Sequence, residues 1–461
     1  MIQINDGCNI MDNDHKVVDS SLKNILIISL PLILSALSSN LMYLIDRMIL
    51  AYYSIDSMNA ASISGNLVAI FSFIFTSIAG ISEIYVGQSN GKKCYSDLAI
   101  PVWQMIYFSL LGFVILFPFG YFVEYISLIP EYCEKEALDY QRPLIYSSAL
   151  PAIKVALASF FIGQGKTKII TYTVLFGAIS NIILDILFIF GYQNIIPEMG
   201  CKGAAIATVL AEIVQIFILA TVFFNKNNRL RYKTNINIKF NKEIFKGCLR
   251  LGYPMSAGRI FELLAWYLVY IAISHVSKDL AIIQGICLSI YVLFAFICDG
   301  ISKSAATISA NLIGQKDLTS IKKSFKTFLN IIFVLGLIIS IPLAIFPESL
   351  LFFLNMLHDD ISSLYPEIKT IFKLLCFSIP LEAICSLIWG ILMSGGDTKY
   401  PMIVNLCSLW GCVVGPICLL YYLGLLHSTV LIYWFTILWS IITLIFFYKR
   451  YQSLKWYNLL K

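Results

Sequence analysis

Charged residues are scarce in this sequence. Asp, Glu, Lys and Arg make up only 13% of its 461 residues, whereas hydrophobic residues make up 59% and the mean hydropathy is +0.80. Soluble globular domains carry about 25% charged residues. The composition therefore excludes an ordinary soluble protein and predicts a chain that crosses a membrane many times. The formal net charge of +6 fits lysines and arginines retained on the cytoplasmic side, so we predict no nucleic-acid partner.

The sequence also lacks the motifs of metal, disulfide, nucleotide and catalytic sites. Its 12 cysteines lie mostly inside apolar runs without CxxC spacing, and its four histidines are scattered without ligand spacing. The stretch FFIGQGKT ends like a phosphate-binding loop, but Phe160 stands where that loop needs a glycine, five positions before Gly165. We therefore predict no cofactor, no enzymatic activity and no transport driven by nucleotide hydrolysis.

Twelve apolar runs are each long enough to cross about 30 Å of hydrocarbon as a helix. Continuous runs of this kind favour helices over the alternating strands of a membrane barrel. The sequence therefore predicts an all-α polytopic membrane protein with twelve transmembrane helices. The runs cover residues 22–50, 60–86, 98–123, 140–163, 168–191, 203–224, 246–273, 281–312, 326–346, 366–394, 400–424 and 428–448.

Lysines and arginines indicate which loops face the cytoplasm. They lie mainly in the even-numbered loops and at the C-terminus, whereas the odd-numbered loops are acidic or uncharged, so we expect both termini in the cytoplasm. A long basic, Asn-rich interruption falls at the midpoint of the helix count and is compatible with a linker or with a contact to lipid headgroups. The predicted segments are an N-terminal tail 1–20, a six-helix lobe 21–224, a linker 225–245, a six-helix lobe 246–448 and a C-terminal tail 449–461.

The two predicted lobes share landmarks in the same order, at separations that drift slowly from 223 to 231 residues. This pattern indicates a duplication. Because each half contains an even number of helices, both copies have the same orientation, and the pseudo-twofold axis between them runs along the membrane normal. We expect the substrate path between the halves. The matched pairs are Pro31 and Pro254, Gln88 and Gln315, and Lys168 and Lys399.

Seven carboxylates fall within or near the apolar runs. An ionisable side chain inside a membrane helix costs about 2.5 to 3.5 kcal/mol, so each is by default a candidate functional residue. Asp46 lies deep in the first run and is the strongest candidate. The seven are Asp46, Glu83, Asp185, Glu212, Glu262, Asp299 and Glu382.

Two of these acids have a polar neighbour on the same helix face. Asn181 lies four residues before Asp185, so the two either line a cavity or hydrogen-bond to each other. Arg259 and Glu262 are three residues apart and form either a neutralised structural pair or part of a site.

The remaining charged and aromatic candidates lie on other helices. Glu382 lies in line with Ser386 and Trp389, in a stripe that is either packing or a binding wall. Asp299 and Lys303 are four residues apart, and we expect them to pair. Lys154 has no partner on its own helix, so it either forms an ion pair with Asp46 or Asp185 on another helix or faces substrate. The possible cavity or substrate contacts are Lys154, Arg259, Trp266, Asp299, Lys303 and Trp389.

The pattern resembles the multidrug and toxic compound extrusion (MATE) transporters of the MOP flippase superfamily, over nearly the whole chain from about residue 20 to 448. The resemblance rests on the first-helix LID at Asp46, the run NIILDILFIFG at 181–191 followed by GAAIAT at 203–208, and the spacing from Glu382 to GGDTKYP. It implies a V-shaped bundle of two six-helix lobes that exports organic compounds against an inward flow of protons or sodium ions.

The resemblance also implies a cation site in the first lobe and an acidic pair in the second. Some sodium-coupled members carry a tyrosine one turn before the second acid, where this chain has Ser378. The matching positions are Asp46, Asn181 and Asp185 in the first lobe and Glu262 and Glu382 in the second.

We therefore expect a secondary active efflux transporter of small, often cationic, organic compounds, which works by alternating access with H+ or Na+ as the coupling ion. We expect a monomer in the cell membrane, with the first helix bending near Pro31. The alternative is a flippase for lipid-linked oligosaccharides, because Lys154, Arg259 and Lys303 would suit a basic groove that binds diphosphate.

Overall fold

The computed structural model describes residues 18–122, 134–193, 195–345, 347, 362–457 and 459. Almost all regular structure in these residues is helical, as predicted, and the one extended pairing among them is an isolated bridge between Tyr192 and Ile196. The helices are α1 (Leu22–Tyr53), α2 (Ile55–Gly80), α3 (Ser82–Gly91), α4 (Ala99–Phe122), α5 (Glu134–Tyr146), α6 (Leu150–Gly163), α7 (Lys168–Phe190), α8 (Gly200–Phe223), α9 (Lys226–Tyr232), α10 (Lys242–Val276), α11 (Lys278–Gly314), α12 (Leu318–Ile345), α13 (Tyr365–Ser394), α14 (Lys399–Leu409), α15 (Gly415–Tyr422) and α16 (Val430–Gln452).

These helices account for the predicted membrane spans. Among the described residues, eleven helical runs are long and apolar enough to cross a membrane, and the bent pair α5 and α6 makes a twelfth if it counts as one span. We predicted a single run over 140–163, but the two helices of this pair meet at 44°. Pro151 lies in the first turn of α6 and has no N–H to donate to the carbonyl of Ser147, so the helix is interrupted there.

The chain folds into two compact units. Unit 1 contains Ile27–Ser256 and Ala310–Lys316, and unit 2 contains Asp19–Leu26, Ala257–Ser309 and the described residues from Asp317 onward. The C-terminal end of α11, from Ala310 onward, is therefore packed with the helices of the first half of the chain.

The core of unit 1 near the first acidic residue is rich in small side chains. Alanines at helix contacts allow the backbones to approach closely, which is the usual way in which membrane helices pack. The cluster consists of Leu50, Ala60, Ala61, Ala137, Tyr140, Ile189, Cys201, Ala204 and Ala205. The apolar core of unit 2 includes the buried side chains of Phe372 and Trp439.

The predicted basic linker is held against α4 in unit 1. The indole of Trp103 donates to the backbone carbonyl of Thr234 at 2.8 Å, and the amide of Gln104 donates to the carbonyl of Lys239 at 3.2 Å. The segment is therefore an ordered part of unit 1.

The end of α11 is fixed in unit 1 by asparagine and glycine contacts. The Asn90 side chain donates to Asn311 Oδ1 at 2.7 Å, and Asn311 Nδ2 donates to the carbonyl of Gly163 at 2.8 Å. A Cβ atom added at Gly91 would lie 2.0 Å from the carbonyl oxygen of Asn311. Only a glycine permits this approach, so position 91 tolerates no side chain without movement of the backbone.

We therefore expect Gly91→Ala to destabilise the protein, by about 1 to 3 kcal/mol as for other overpacked contacts. The measurement is the midpoint of thermal unfolding in detergent. Gly285→Ala is the matched control, because a Cβ atom there meets nothing within 4 Å and alanine favours the helix. Equal shifts in the two variants would contradict the assigned contact.

Candidate functional site

Helices α1 and α7 bring the two aspartates of unit 1 together. Asp46 on α1 is 2% exposed, Asp185 on α7 is fully buried, and the two carboxyl groups lie close enough to interact electrostatically. Tyr140 on α5 directs its hydroxyl at Asp46, with 3.5 Å between Oη and Oδ2. Because like charges repel strongly in an apolar interior, the site disfavours two ionised carboxylates without a cation.

Several polar atoms of this site have no hydrogen-bond partner among the described residues. They are Asp46 Oδ1, both carboxylate oxygens of Asp185, and the side-chain oxygen and nitrogen of Asn181. Asn181 therefore does not hydrogen-bond to Asp185, although the two are one turn apart on α7. Buried polar groups are nearly always paired in folded proteins, so the oxygens among these atoms are candidate ligands for a proton or a cation.

Arg47 supplies a positive charge that we missed in the sequence. Its Nε lies 4.0 Å from Asp46 Oδ2, its guanidinium group donates to Ser62 Oγ, and its Cζ lies 5.9 Å from the ring centre of Tyr140. With Asp46 and Asp185 both ionised, the three charges leave a net charge of −1. The signal was available, because an arginine inside an apolar run is as costly as an aspartate.

Tyr140 and Gln141 on α5 were also missed in the sequence. Both are buried, and both polar side-chain atoms of Gln141 lack a hydrogen-bond partner among the described residues. Their contribution to the site depends on the packing of α5, which no local pattern reveals.

Lys154 pairs with Glu212, and not with Asp46 or Asp185 as we had considered. Nζ of Lys154 on α6 lies 2.7 Å from Oε1 of Glu212 on α8. The second oxygen of Glu212 is buried without a hydrogen-bond partner in the described part of the chain. Tyr43 lies near enough to interact electrostatically with both Glu212 and Asp46, so this ion pair borders the aspartate site.

Unit 2 gathers a second acidic cluster. Arg259 and Glu262 on α10 form the predicted pair, with 3.2 Å between Nη1 and Oε1. Glu382 on α13 interacts electrostatically with both of them and with Asp299 on α11. The pair is therefore part of a larger constellation, in which three carboxylates and one guanidinium would carry a net charge of −2 when all are ionised.

Asp299 and Lys303 do not form the ion pair that their spacing predicts. No salt bridge joins them in the ranges that the structure describes, and Asp299 interacts with Arg259 instead. Both side chains are exposed. An exposed pair gains little free energy, because holding a lysine side chain in one conformation costs entropy.

The two candidate tryptophans lie in aromatic packing within unit 2. The ring centre of Trp266 is 6.4 Å from that of Tyr291 and 6.3 Å from that of Trp439, and the ring centre of Trp389 is 5.9 Å from that of Phe447. Packing accounts for both residues, so their role as cavity contacts stays a prediction.

The first site offers only oxygen ligands. Two carboxylates and the amide of Asn181 suit a proton or a hard cation such as Na+, because oxygen ligands suit hard ions. The described residues contain no group of three or more His, Cys, Asp or Glu side chains that would hold a metal ion. The chemistry that this arrangement supports is reversible cation binding.

A sequence profile of the family described as MatE matches this chain twice, at residues 31–187 and 254–417. The two matches begin at Pro31 and Pro254, the same pair of prolines that marks the internal duplication. The profile covers more than half of the chain.

Curated relatives and solved structures agree with this match. The chain is 23% identical over 393 residues to a probable multidrug resistance protein, YoeA, of Bacillus subtilis, covering 83% of each chain. It is 25% identical over 399 residues to a probable multidrug resistance protein, NorM, of Thermotoga maritima, covering 82% of each chain. A MOP superfamily transporter from Pyrococcus furiosus has the same fold, with a TM-score of 0.84 at 16% identity, over 96% of this chain and 100% of that one.

The Lys154 to Glu212 pair gives a stability prediction. Replacing Lys154 by Met leaves a carboxylate of low exposure without its partner, which we expect to cost about 2 kcal/mol. Adding Glu212→Gln removes the orphaned charge, so the double variant recovers part of that loss. Thermal unfolding in detergent measures both, and additive losses in the double variant would show that the pair is not coupled.

Proposed function

This chain belongs to the MATE family of membrane transporters, which are not enzymes, and we propose that it is a secondary active antiporter that exports small organic compounds in exchange for H+ or Na+. The observation that carries this proposal is the juxtaposition of Asp46 and Asp185, with three carboxylate oxygens that have no hydrogen-bond partner among the described residues. The substrate class is drawn from the names of the multidrug resistance relatives and from the acidic character of both clusters.

The charges of unit 1 suggest the stoichiometry of coupling. Arg47 compensates one of the two aspartates, so one further monovalent cation makes the site electrically neutral. Neutralisation removes the repulsion between Asp46 and Asp185, and α1 and α7 then pack more closely. In this mechanism the incoming cation changes the packing of α1 near Pro31, and the change releases the substrate.

The acidic cluster of unit 2 provides a second place for positive charge. Glu262 and Glu382, with Asp299 beside them, exceed the single charge of Arg259. We propose that this excess attracts cationic substrates or binds a second coupling ion. Neither role requires a cofactor.

The cellular setting is proposed on the basis of the sequence. Lobes 21–224 and 246–448 act as the two halves of a monomer in the cell membrane, and both termini face the cytoplasm, as the distribution of lysines and arginines favours. A lipid-linked oligosaccharide flippase is not favoured, because Lys154 and Arg259 are each paired with a glutamate and are not free to bind diphosphate together.

The central test is Asp46→Asn. The amide keeps the shape of the side chain but neither binds nor releases a proton, so we expect efflux of ethidium from proteoliposomes to fall by about tenfold or more. Efflux is measured under an inward proton gradient alone and under an inward sodium gradient alone, which identifies the coupling ion.

Asp279→Asn is the matched control, because Asp279 is exposed at the start of α11 and should transport at the wild-type rate. An efflux rate of the Asp46→Asn protein equal to that of the wild-type protein would contradict the proposed role of Asp46. An absence of efflux by the wild-type protein under both gradients would contradict the antiport itself.

A further inference from the structure

Helix α1 contains a proline that breaks its own hydrogen-bond ladder. Pro31 has no N–H, so the carbonyl of Ile27, four residues earlier, loses its partner within the helix. In a membrane the unpaired carbonyl would be costly, and neighbouring helices commonly supply a replacement donor. Here the hydroxyl of Thr167, at the start of α7, donates to the carbonyl of Ile27 at 3.2 Å.

A second threonine of α7 continues this contact one turn later. The hydroxyl of Thr171 donates to the carbonyl of Pro31 at 2.9 Å and lies 3.2 Å from the hydroxyl of Ser35, which itself donates to that carbonyl at 2.6 Å. The two threonines are four residues apart, and so are the two carbonyls that they bind.

Neither threonine hydroxyl makes the hydrogen bond within its own helix that is usual at its position. Thr167 is the N-cap residue of α7, where a threonine usually caps its own helix, yet its side chain makes no capping bond. Thr173 shows the usual alternative inside a helix, because its hydroxyl donates to the carbonyl of Ile169 at 2.8 Å on the same helix. The hydroxyls of Thr167 and Thr171 are directed across to α1 instead.

The face of α7 that carries these threonines also carries the acidic site. Thr167 and Asp185 are 18 residues apart, which is five turns of an α-helix, so they project from the same side about 27 Å apart along the axis. The same two helices therefore meet twice, once at the break at Pro31 and once at the pair of Asp46 and Asp185.

We propose that Thr167 and Thr171 are positioning residues that clamp the proline break of α1 to α7, and so tie the bend of α1 to the helix that carries Asp185. The existence of the clamp does not depend on the proposed antiport, but its effect on transport rests on it. When the packing at Asp46 and Asp185 changes, the hydrogen bonds from Thr167 and Thr171 determine where α1 bends.

The clamp is tested by amide hydrogen exchange of the purified protein, followed by mass spectrometry in peptides that cover residues 27–39. Thr167→Val and Thr171→Val keep the shape of threonine and remove the hydroxyl. We expect exchange in these peptides to rise about fivefold for each lost bond, which is the scale of a net hydrogen bond. Thr173→Val is the matched control and should leave exchange in these peptides unchanged. Thr167→Ser and Thr171→Ser keep a hydroxyl and should show the protection of the wild-type protein.

A double-mutant cycle with Pro31→Ala makes the test specific. Alanine at position 31 returns the N–H that the carbonyl of Ile27 lacks, so Thr167→Val should have no further effect in that background. Thr171→Val should keep its effect, because its acceptor is the carbonyl of residue 31 itself. Equal effects of Thr167→Val with and without the proline, or unchanged exchange in both threonine variants, would overturn the proposal.

Transport adds an independent readout. We expect the Thr167→Val, Thr171→Val double variant to export ethidium about tenfold more slowly than the Thr173→Val protein under the driving gradient. Equal transport by the two proteins would overturn the link between the clamp and the bend. If the wild-type protein shows no efflux under either gradient, the antiport fails, while the exchange experiment still decides on the clamp.

Discussion

The cost of leaving a polar group unpaired in an apolar environment shapes both the acidic site and the break in α1. At Pro31 the chain removes a donor, and Thr167 supplies another from the next helix. At Asp46 and Asp185 several oxygens stay without a partner among the described residues. The contrast separates two roles, because a satisfied carbonyl stabilises the fold, whereas an unsatisfied carboxylate provides affinity for a cation.

Both features lie on the contact between α1 and α7, so in the proposed mechanism a local change in charge at the acids acts on the break in α1. Arg47 leaves the two aspartates one charge short of neutrality, so a single cation changes the electrostatic balance between the helices. Helix packing in a membrane relies on close fit and hydrogen bonds, since the lipid provides no hydrophobic drive between helices. A small change at the acids therefore competes directly with the bonds that hold α1 in place.

The sequence predicted the features that depend on local pattern. Most apolar runs matched single membrane helices, whereas the run 140–163 contains the bend between α5 and α6. Asp46, Asn181 and Asp185 lie on α1 and α7, the helices that meet at the first site. Interactions between distant segments were not predictable in the same way. Lys154 forms an ion pair with Glu212, 58 residues away in the sequence. Tyr140 hydrogen-bonds to Asp46, 94 residues away. Spacing alone was also insufficient at Asp299, because an exposed side chain four residues from a lysine has little reason to pair with it.

The most direct test of the account is whether substrate binding displaces a cation from the aspartate site. Ethidium is added to the purified protein in weakly buffered detergent solution, and released protons or released radioactive sodium are counted against bound ethidium. The account predicts about one cation released for each ethidium bound, and loss of that release when Asp185 is replaced by Asn. Ethidium binding with no release of either ion, or undiminished release from the Asp185→Asn protein, would contradict it.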